Sequence, residues 1–317
     1  MIFNYTSFLG GVNQGLLWGL LAVGVYLTFR VLDFPDLTTD GSFSLGGSVV
    51  AIAIFQGVNP FLATLFSFFA GAAAGLFTGL LNTKLKIPPI LSGILTMISM
   101  YSINVRIMNG ASLSIYRSTT IITWLRNLLD ISSAYSTLIM GIIYVMATIS
   151  LLYWFFGTEK GSAIRATGSN EMMCRAQGIN TDNTKIIGLM VSNAIIALSG
   201  ALVAQQQSTG DINMGVGGIV IGLASVIIGE TFITKKASFF LKMCFVVLGS
   251  IIYRLIITFV IQINLFNASD TKMLTAAIVI FALSIPKIKE SFGKMKLFFA
   301  NMRAKKDKPA NNNVKIS

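Results

Sequence analysis

Nine apolar runs follow one another along the chain, at about residues 8–29, 42–57, 60–83, 88–108, 134–156, 184–207, 215–233, 237–262 and 272–286. No other feature constrains the fold as strongly. A run of about 20 apolar residues spans the hydrocarbon layer of a bilayer as an α-helix, whereas a strand of a membrane barrel needs only about ten. The chain is 54% hydrophobic and 11% charged, against roughly 25% charged in soluble domains, and its mean hydropathy is +0.75. The expectation is an all-α integral membrane protein, a polytopic helical bundle of about nine transmembrane segments. The runs at 42–57 and 215–233 are rich in glycine and close to the shortest length that crosses, so short or broken helices are expected there. The first run starts almost at once, has no basic region before it and is as long as a span, which predicts a first span rather than a cleavable leader.

The net charge of +12 is placed unevenly. The stretch from Lys287 onward carries nine basic residues against Glu290 and Asp307. Beside a membrane span this reads as a positive-inside anchor, not as a nucleic-acid site. Lys84 and Lys86, then Lys160, Arg165, Arg175 and Lys185, then Lys235 and Lys236, and finally the tail all fall on one side when nine crossings are counted. That side is expected to be the cytoplasm, with the N-terminus outside and the C-terminus cytoplasmic; Arg106, Arg117 and Arg126 fall on the other side and run against the rule. The expected organisation is a transmembrane domain over 1–286, a polar cytoplasmic segment over 158–182 and a basic tail over 287–317. Phe292, Met295, Phe299 and Met302, interleaved with lysines, predict that the first half of the tail lies on the inner leaflet as a helix.

Several chemistries are excluded. The chain has no histidine and no glycine-rich loop ending in Gly-Lys-Ser/Thr, so neither histidine acid–base chemistry nor nucleotide binding through such a loop is open to it. Cys174 and Cys244 make no disulfide framework. No metal cluster and no nucleophile with a base partner is visible, which makes a membrane-embedded enzyme the weakest reading. Catalytic and metal-ligating residues are therefore expected to be absent, and no cofactor is expected on this chain.

Two stretches echo each other. Asp40 precedes Gly46–Gly47 by six and seven residues, and Asp211 precedes Gly217–Gly218 by the same spacing. On the expected topology the runs that follow cross in opposite directions, as inverted repeats of transporters do, where glycine-interrupted helices mark the pathway. Close helix packing through glycine pairs explains the echo equally well. Asp36, Asp40, Gly46, Gly47, Gln205, Asp211, Gly217, Gly218 and Glu230 are the candidate path residues. Gln205 to Gln207 either line the path or sit at headgroup level. Ionisable groups within the spans are few: Glu230 near the inner end of its run, and Arg254, which either snorkels outward or faces a water-filled cavity. That scarcity argues against an ion-coupled secondary transporter and places the energy source elsewhere.

Some stretches resemble a known family. "GLLWGLLAVGVYLTFRVLDFPDLTTDGSFSLGGSVVA", "KLKIPPILSGILTM" and "GSAIRATGSNEMMCRAQGIN" are similar to the permeases of ATP-binding-cassette importers of the branched-chain amino acid and ribose group. The aspartate-rich "FRVLDFPDLTTDGSF" resembles the small single permeases linked to tryptophan and tyrosine uptake. Gly161, Ile164, Arg165, Ala166, Gly168, Asn170, Ala176, Gly178, Ile179 and Asn180 match the family's cytoplasmic segment, although the alanine comes two residues before the glycine here, not four. The resemblance implies a second copy of the chain, a cytoplasmic ATPase dimer carrying ATP and Mg, and an extracytoplasmic solute-binding protein. It makes Gly161–Asn180 one or two short helices that dock on the ATPase, with Arg165, Glu171 and Arg175 as charges at the rim of the contact. The function it implies is conduction of a small polar solute, an aromatic amino acid favoured, through a multi-pass protein of a bacterial-type cell membrane. A self-contained secondary transporter or channel is the alternative.

Overall fold

The computed structural model describes residues 5–233 and 237–262, with single positions between 273 and 284. Most of the ninth apolar run, the lysines at 235 and 236, and the basic tail with its expected surface helix lie outside the described residues.

Helix α1 (Tyr5–Tyr26) ends in a π-helical turn at Leu27–Val31, and an irregular stretch over residues 32–38 leads into α2 (Thr39–Phe55). α3 (Pro60–Thr83) and α4 (Pro89–Met108) form an antiparallel pair. Both start as the sequence dictates. Asn59 caps the first N–H groups of α3, accepting from Phe61 N, and prolines open both helices where an N–H would be unpaired anyway. β1 (Ser112–Ser114) and α5 (Ile121–Leu129) follow, and α5 begins in a reciprocal Thr120–Thr123 capping box. Then come α6 (Ser133–Gly157), α7 (Glu159–Ser169), α8 (Glu171–Ala176), α9 (Thr181–Gln207), β2 (Thr209–Asp211), α10 (Gly218–Glu230) and α11 (Phe239–Gln262). β1 and β2 pair antiparallel, Leu113 opposite Gly210.

Among the described residues six helices are long and apolar enough to cross a membrane: α1 with its π turn, α3, α4, α6, α9 and α11. α2 and α10 are shorter, at 17 and 13 residues. At about 1.5 Å per residue they reach roughly 25 and 20 Å, less than the hydrocarbon thickness. The described residues thus hold six long spans and two short helices, and the expected count of about nine crossings is not confirmed. The two short ones are the glycine-rich runs.

α9 is the central post, packed on α1, α2 and α3. Glycine makes these crossings close. A Cβ on Gly46 would overlap the Ala197 carbonyl oxygen, one on Gly200 the Phe43 carbonyl oxygen, and one on Gly75 the Leu189 carbonyl oxygen. The outer faces of α3, α4 and α6 expose Phe66, Phe69, Ile98, Ile143 and Leu151, the apolar surface a bilayer would cover.

Candidate functional site

Two places gather the candidate residues: one end of the bundle and the middle of it.

At the end, α7 and α8 form a helical pair between α6 and α9. Thr158 starts α7 by accepting from Gly161 N, and Asn170 starts α8 by accepting from Met173 N. The expected polar segment is thus two helices. Lys84, Lys86, Arg30, Lys160, Arg165, Arg175 and Lys185 share this end, because α3 ends, and α9 begins, beside α7 and α8: Gly168 lies against Val31 and Leu32, Gly79 against Ile186.

Five charges here form a chain. Glu171 binds Arg175 and Lys185, each at 2.7 Å; Arg175 reaches Asp182 at 3.4 Å; Asp182 meets Lys86 at 3.6 Å. Thr181 Oγ1 accepts from Arg175 Nε at 2.7 Å and donates to Glu171. Partial burial raises the Glu171 carboxyl, but the Lys185 hydrogen bond, the charges of Lys185 and Arg175 and the Thr181 hydrogen bond outweigh it and hold the group below its usual range. Arg165 donates to the Phe156 carbonyl at 2.9 Å and lies 5.8 Å from the Phe239 ring centroid. Glu171, Arg175 and Arg165 are therefore engaged within the chain and fix the pair of helices in place.

The glycines divide by role. Gly161 and Gly168 sit where a Cβ would strike the Phe155 and Val31 carbonyls. Gly178 has open space but a φ of +81°, the left-handed turn that ends α8 before α9. Ala166 and Ala176 are exposed. The large exposed apolar side chains on α8 are Met172 and Met173, 79% and 58% exposed. They escaped the charge-centred reading of the sequence; a Met-Met pair in a polar segment was the available signal.

In the middle, α2 and α10 both begin inside the bundle and run toward opposite ends. Asp40, in the first turn of α2, accepts from the backbone N–H groups of Gly217 and Ile219, both at 2.9 Å, and so caps α10. One carboxylate meets the positive ends of two helices. The loop before α10 lies on α2: Ser44 Oγ accepts from Gly215 N at 3.0 Å, and a Cβ on Gly47 would strike the Met214 sulfur. Gly217 holds the left-handed φ of +83° before α10, and Gly218 faces Leu21 and Asp40. The two echoing stretches are therefore in contact, with Asp40 as the link. Asp211 plays a different part from Asp40: it lies on β2 and accepts from Asn213 N at 2.6 Å.

Asp36 is fully buried. It accepts from Asn193 Nδ2 at 2.7 Å and Thr38 N at 2.8 Å, and Asn193 Oδ1 accepts from Ser42 at 2.7 Å. Thr38, Thr78 and Thr96 continue as a hydroxyl chain at 2.8 and 2.9 Å. Asn193 was missed in the sequence, though an asparagine halfway along a 27-residue apolar helix stands out. Gln205 is buried; it donates to Thr64 and accepts from Ile121 N, tying α9 to α3 and α5. Glu230 pairs with Arg30 at the α7–α8 end. Among the described residues no group of three His, Cys, Asp or Glu converges as metal ligands would.

A long-helix membrane bundle, two short helices meeting inside it and an exposed helical pair at one end define the class: a multi-pass transport permease. The fold is similar to that of a chain of PsaBC from Streptococcus pneumoniae, solved in complex with Fab, with a TM-score of 0.50 at 15% identity over 89% of this chain and 91% of that one. Residues 7–283 match the model of the branched-chain amino acid transport system / permease component family, and the chain belongs to that family, a permease family of ATP-binding-cassette transporters. Relatives include a tyrosine transport system permease protein of Clostridioides difficile (strain R20291), 37% identical over 89% of this chain and 92% of its own length. Another is the uncharacterized protein RP368 of Rickettsia prowazekii (strain Madrid E), 30% identical over 64% of this chain and 70% of its own.

Proposed function

We propose that the chain is the solute-conducting subunit of an importer for an amino acid, an aromatic one favoured, and that α7–α8 is where a separate ATPase drives it. ATP and Mg belong to that ATPase, which docks as a dimer on two copies of this chain, and a solute-binding protein delivers the solute from the other side. The α7–α8 end then faces the cytoplasm of a bacterial-type cell, with the N-terminus outside.

The observation that carries this reading is Met172 and Met173 projecting from a short helix whose charges are already paired to one another. A charged face that is internally satisfied offers a partner shape and apolar anchors, not free ions, and methionine adapts well to a groove. Family membership supports the same reading, as does the name carried by the relative from Clostridioides difficile. ATP-driven closure would reach the membrane through Gly168 on Val31 and Leu32, the π turn that leads to Asp36 and Asp40. Capture of the ATPase subunit by tagged permease tests the reading. The double variant Met172→Glu/Met173→Glu should lose capture and ATP-driven uptake together. Solute uptake that proceeds without any ATPase would favour a self-contained transporter or channel and sink the proposal.

A further inference from the structure

A cavity of about 500 Å³ opens beside the start of α10, lined by Gln14, Trp18, Val216, Gly217, Arg254 and Thr258. Such a volume suits a small molecule. Its chemistry is unusual for a place between apolar helices. The Arg254 guanidinium carbon stands 4.1 Å from the Trp18 ring centroid, and Arg254 Nε is enclosed with no hydrogen-bond partner among the described residues. The ion pairs found among those residues all involve other cations. A cation within the apolar layer is costly. Stacking on the tryptophan offsets part of that cost, but it uses the face of the guanidinium. The edge of the fork, which matches a carboxylate with two parallel N–H donors, is unspent by stacking.

Nearby groups narrow the ligand. A half-length helix starting inside a membrane protein would ordinarily be the anion site. Here that helix end is taken by Asp40, through Gly217 N and Ile219 N. Anion recognition at this level therefore falls to Arg254. Gly217 is shared by the cavity wall and by Asp40, so a negative carboxylate stands one hydrogen bond behind the wall. A zwitterion, with a carboxylate for Arg254 and an ammonium within the field of Asp40, fits that pair of charges better than a simple anion. Trp18, held between Arg254 and Phe43, orients the guanidinium toward the cavity.

We propose that this cavity is a solute subsite in which Arg254 holds the carboxylate of the amino acid and Trp18 positions the guanidinium. The proposal rests on the amino-acid import reading above and adds the group that recognises the solute within the membrane. A phosphate headgroup offers Arg254 similar oxygen chemistry, and the test separates the two sources.

The full-length permease carrying Trp124→Phe and Trp154→Phe keeps Trp18 as its single tryptophan, and its emission reports on the cavity directly. In nanodiscs of phosphatidylcholine, L-phenylalanine should change that emission saturably. L-Phenylalaninamide, which keeps the ring and amine but not the carboxylate, should bind about tenfold more weakly or worse, the range set by loss of a charge-assisted pair. Arg254→Met should abolish the response, and Arg254→Lys, a point charge without the fork, should leave a weakened one. Should Arg254→Met fail to fold, the acid–amide comparison decides alone. Equal binding of amide and acid overturns the proposal, as does a full response in folded Arg254→Met, or no response to L-phenylalanine at all. Replacing part of the phosphatidylcholine by phosphatidylglycerol should leave the L-phenylalanine titration unchanged; displacement by the anionic lipid assigns the site to headgroups and overturns the solute assignment. Capture of the ATPase and ATP-driven uptake by the same single-tryptophan protein are measured separately. If those persist while the titration fails, the import reading stands and the subsite alone is lost.

Discussion

Replacing Asp40 by alanine removes the two acceptors that hold the start of α10. Gly217 N and Ile219 N each lose a 2.9 Å hydrogen bond to a carboxylate. Hydrogen bonds to a charged partner contribute about 1.5–3 kcal/mol each. The lower bound for two is about 3 kcal/mol, which is roughly a hundredfold in an opening equilibrium at 1.36 kcal/mol per decade. The loss is local, so amide hydrogen exchange followed by mass spectrometry over residues 212–222 is the right assay. Protection there should fall about a hundredfold in Asp40→Ala, while α6, which makes no bond to Asp40, keeps its own. Asp40→Asn retains one acceptor and loses the charge that faces two helix ends, so roughly a tenfold loss is expected, between the other two proteins. Protection over 212–222 that stays within about threefold of the parent in Asp40→Ala would refute the reasoning, because the cap would then contribute less than one ordinary hydrogen bond.

The Glu171 carboxyl is held below its usual range, so the ion pairs it makes stabilise α8 above the ordinary carboxylate range and are lost as pH falls through the lowered value. Protection of residues 171–176 in the parent should be level from pH 8 to about 5 and drop only in stronger acid, whereas Glu171→Gln should be weaker and level throughout. Fully burying a methionine contributes about 1.5–3 kcal/mol, so Met173→Ala alone should weaken capture of the ATPase by about tenfold or more in a pull-down titration. Two glycines should separate packing from backbone strain. Gly46→Ala drives a methyl into the Ala197 carbonyl and should yield little folded protein by size-exclusion profile. Gly178→Ala meets open space but a φ of +81°, and should cost about 1–2 kcal/mol, visible as a modest fall in melting temperature with the fold retained.

The apolar runs were decisive by themselves because a bilayer leaves backbone groups no partner but their own helix. Eight of the nine runs reappear as helices within a few residues of the expected bounds, and Pro60 and Pro89 mark their starts. The polar segment at Gly161–Asn180 was legible too, since Thr158, Asn170 and Asn180 are local capping residues that act within three positions. Glycine enrichment marked the runs of α2 and α10 as short or broken, but composition could not say where inside the bundle each helix begins. Nothing local announces that Asp40 caps a helix beginning 178 residues later, or that Asp36 takes its bond from Asn193, 157 positions on. Nor does it say that Arg254 lies on Trp18. Hydropathy scores each residue against lipid, whereas these contacts depend on how closely α1, α2, α9, α10 and α11 approach one another. That distance is set by which glycines face which carbonyls across the helix crossings, and only the packed bundle determines it.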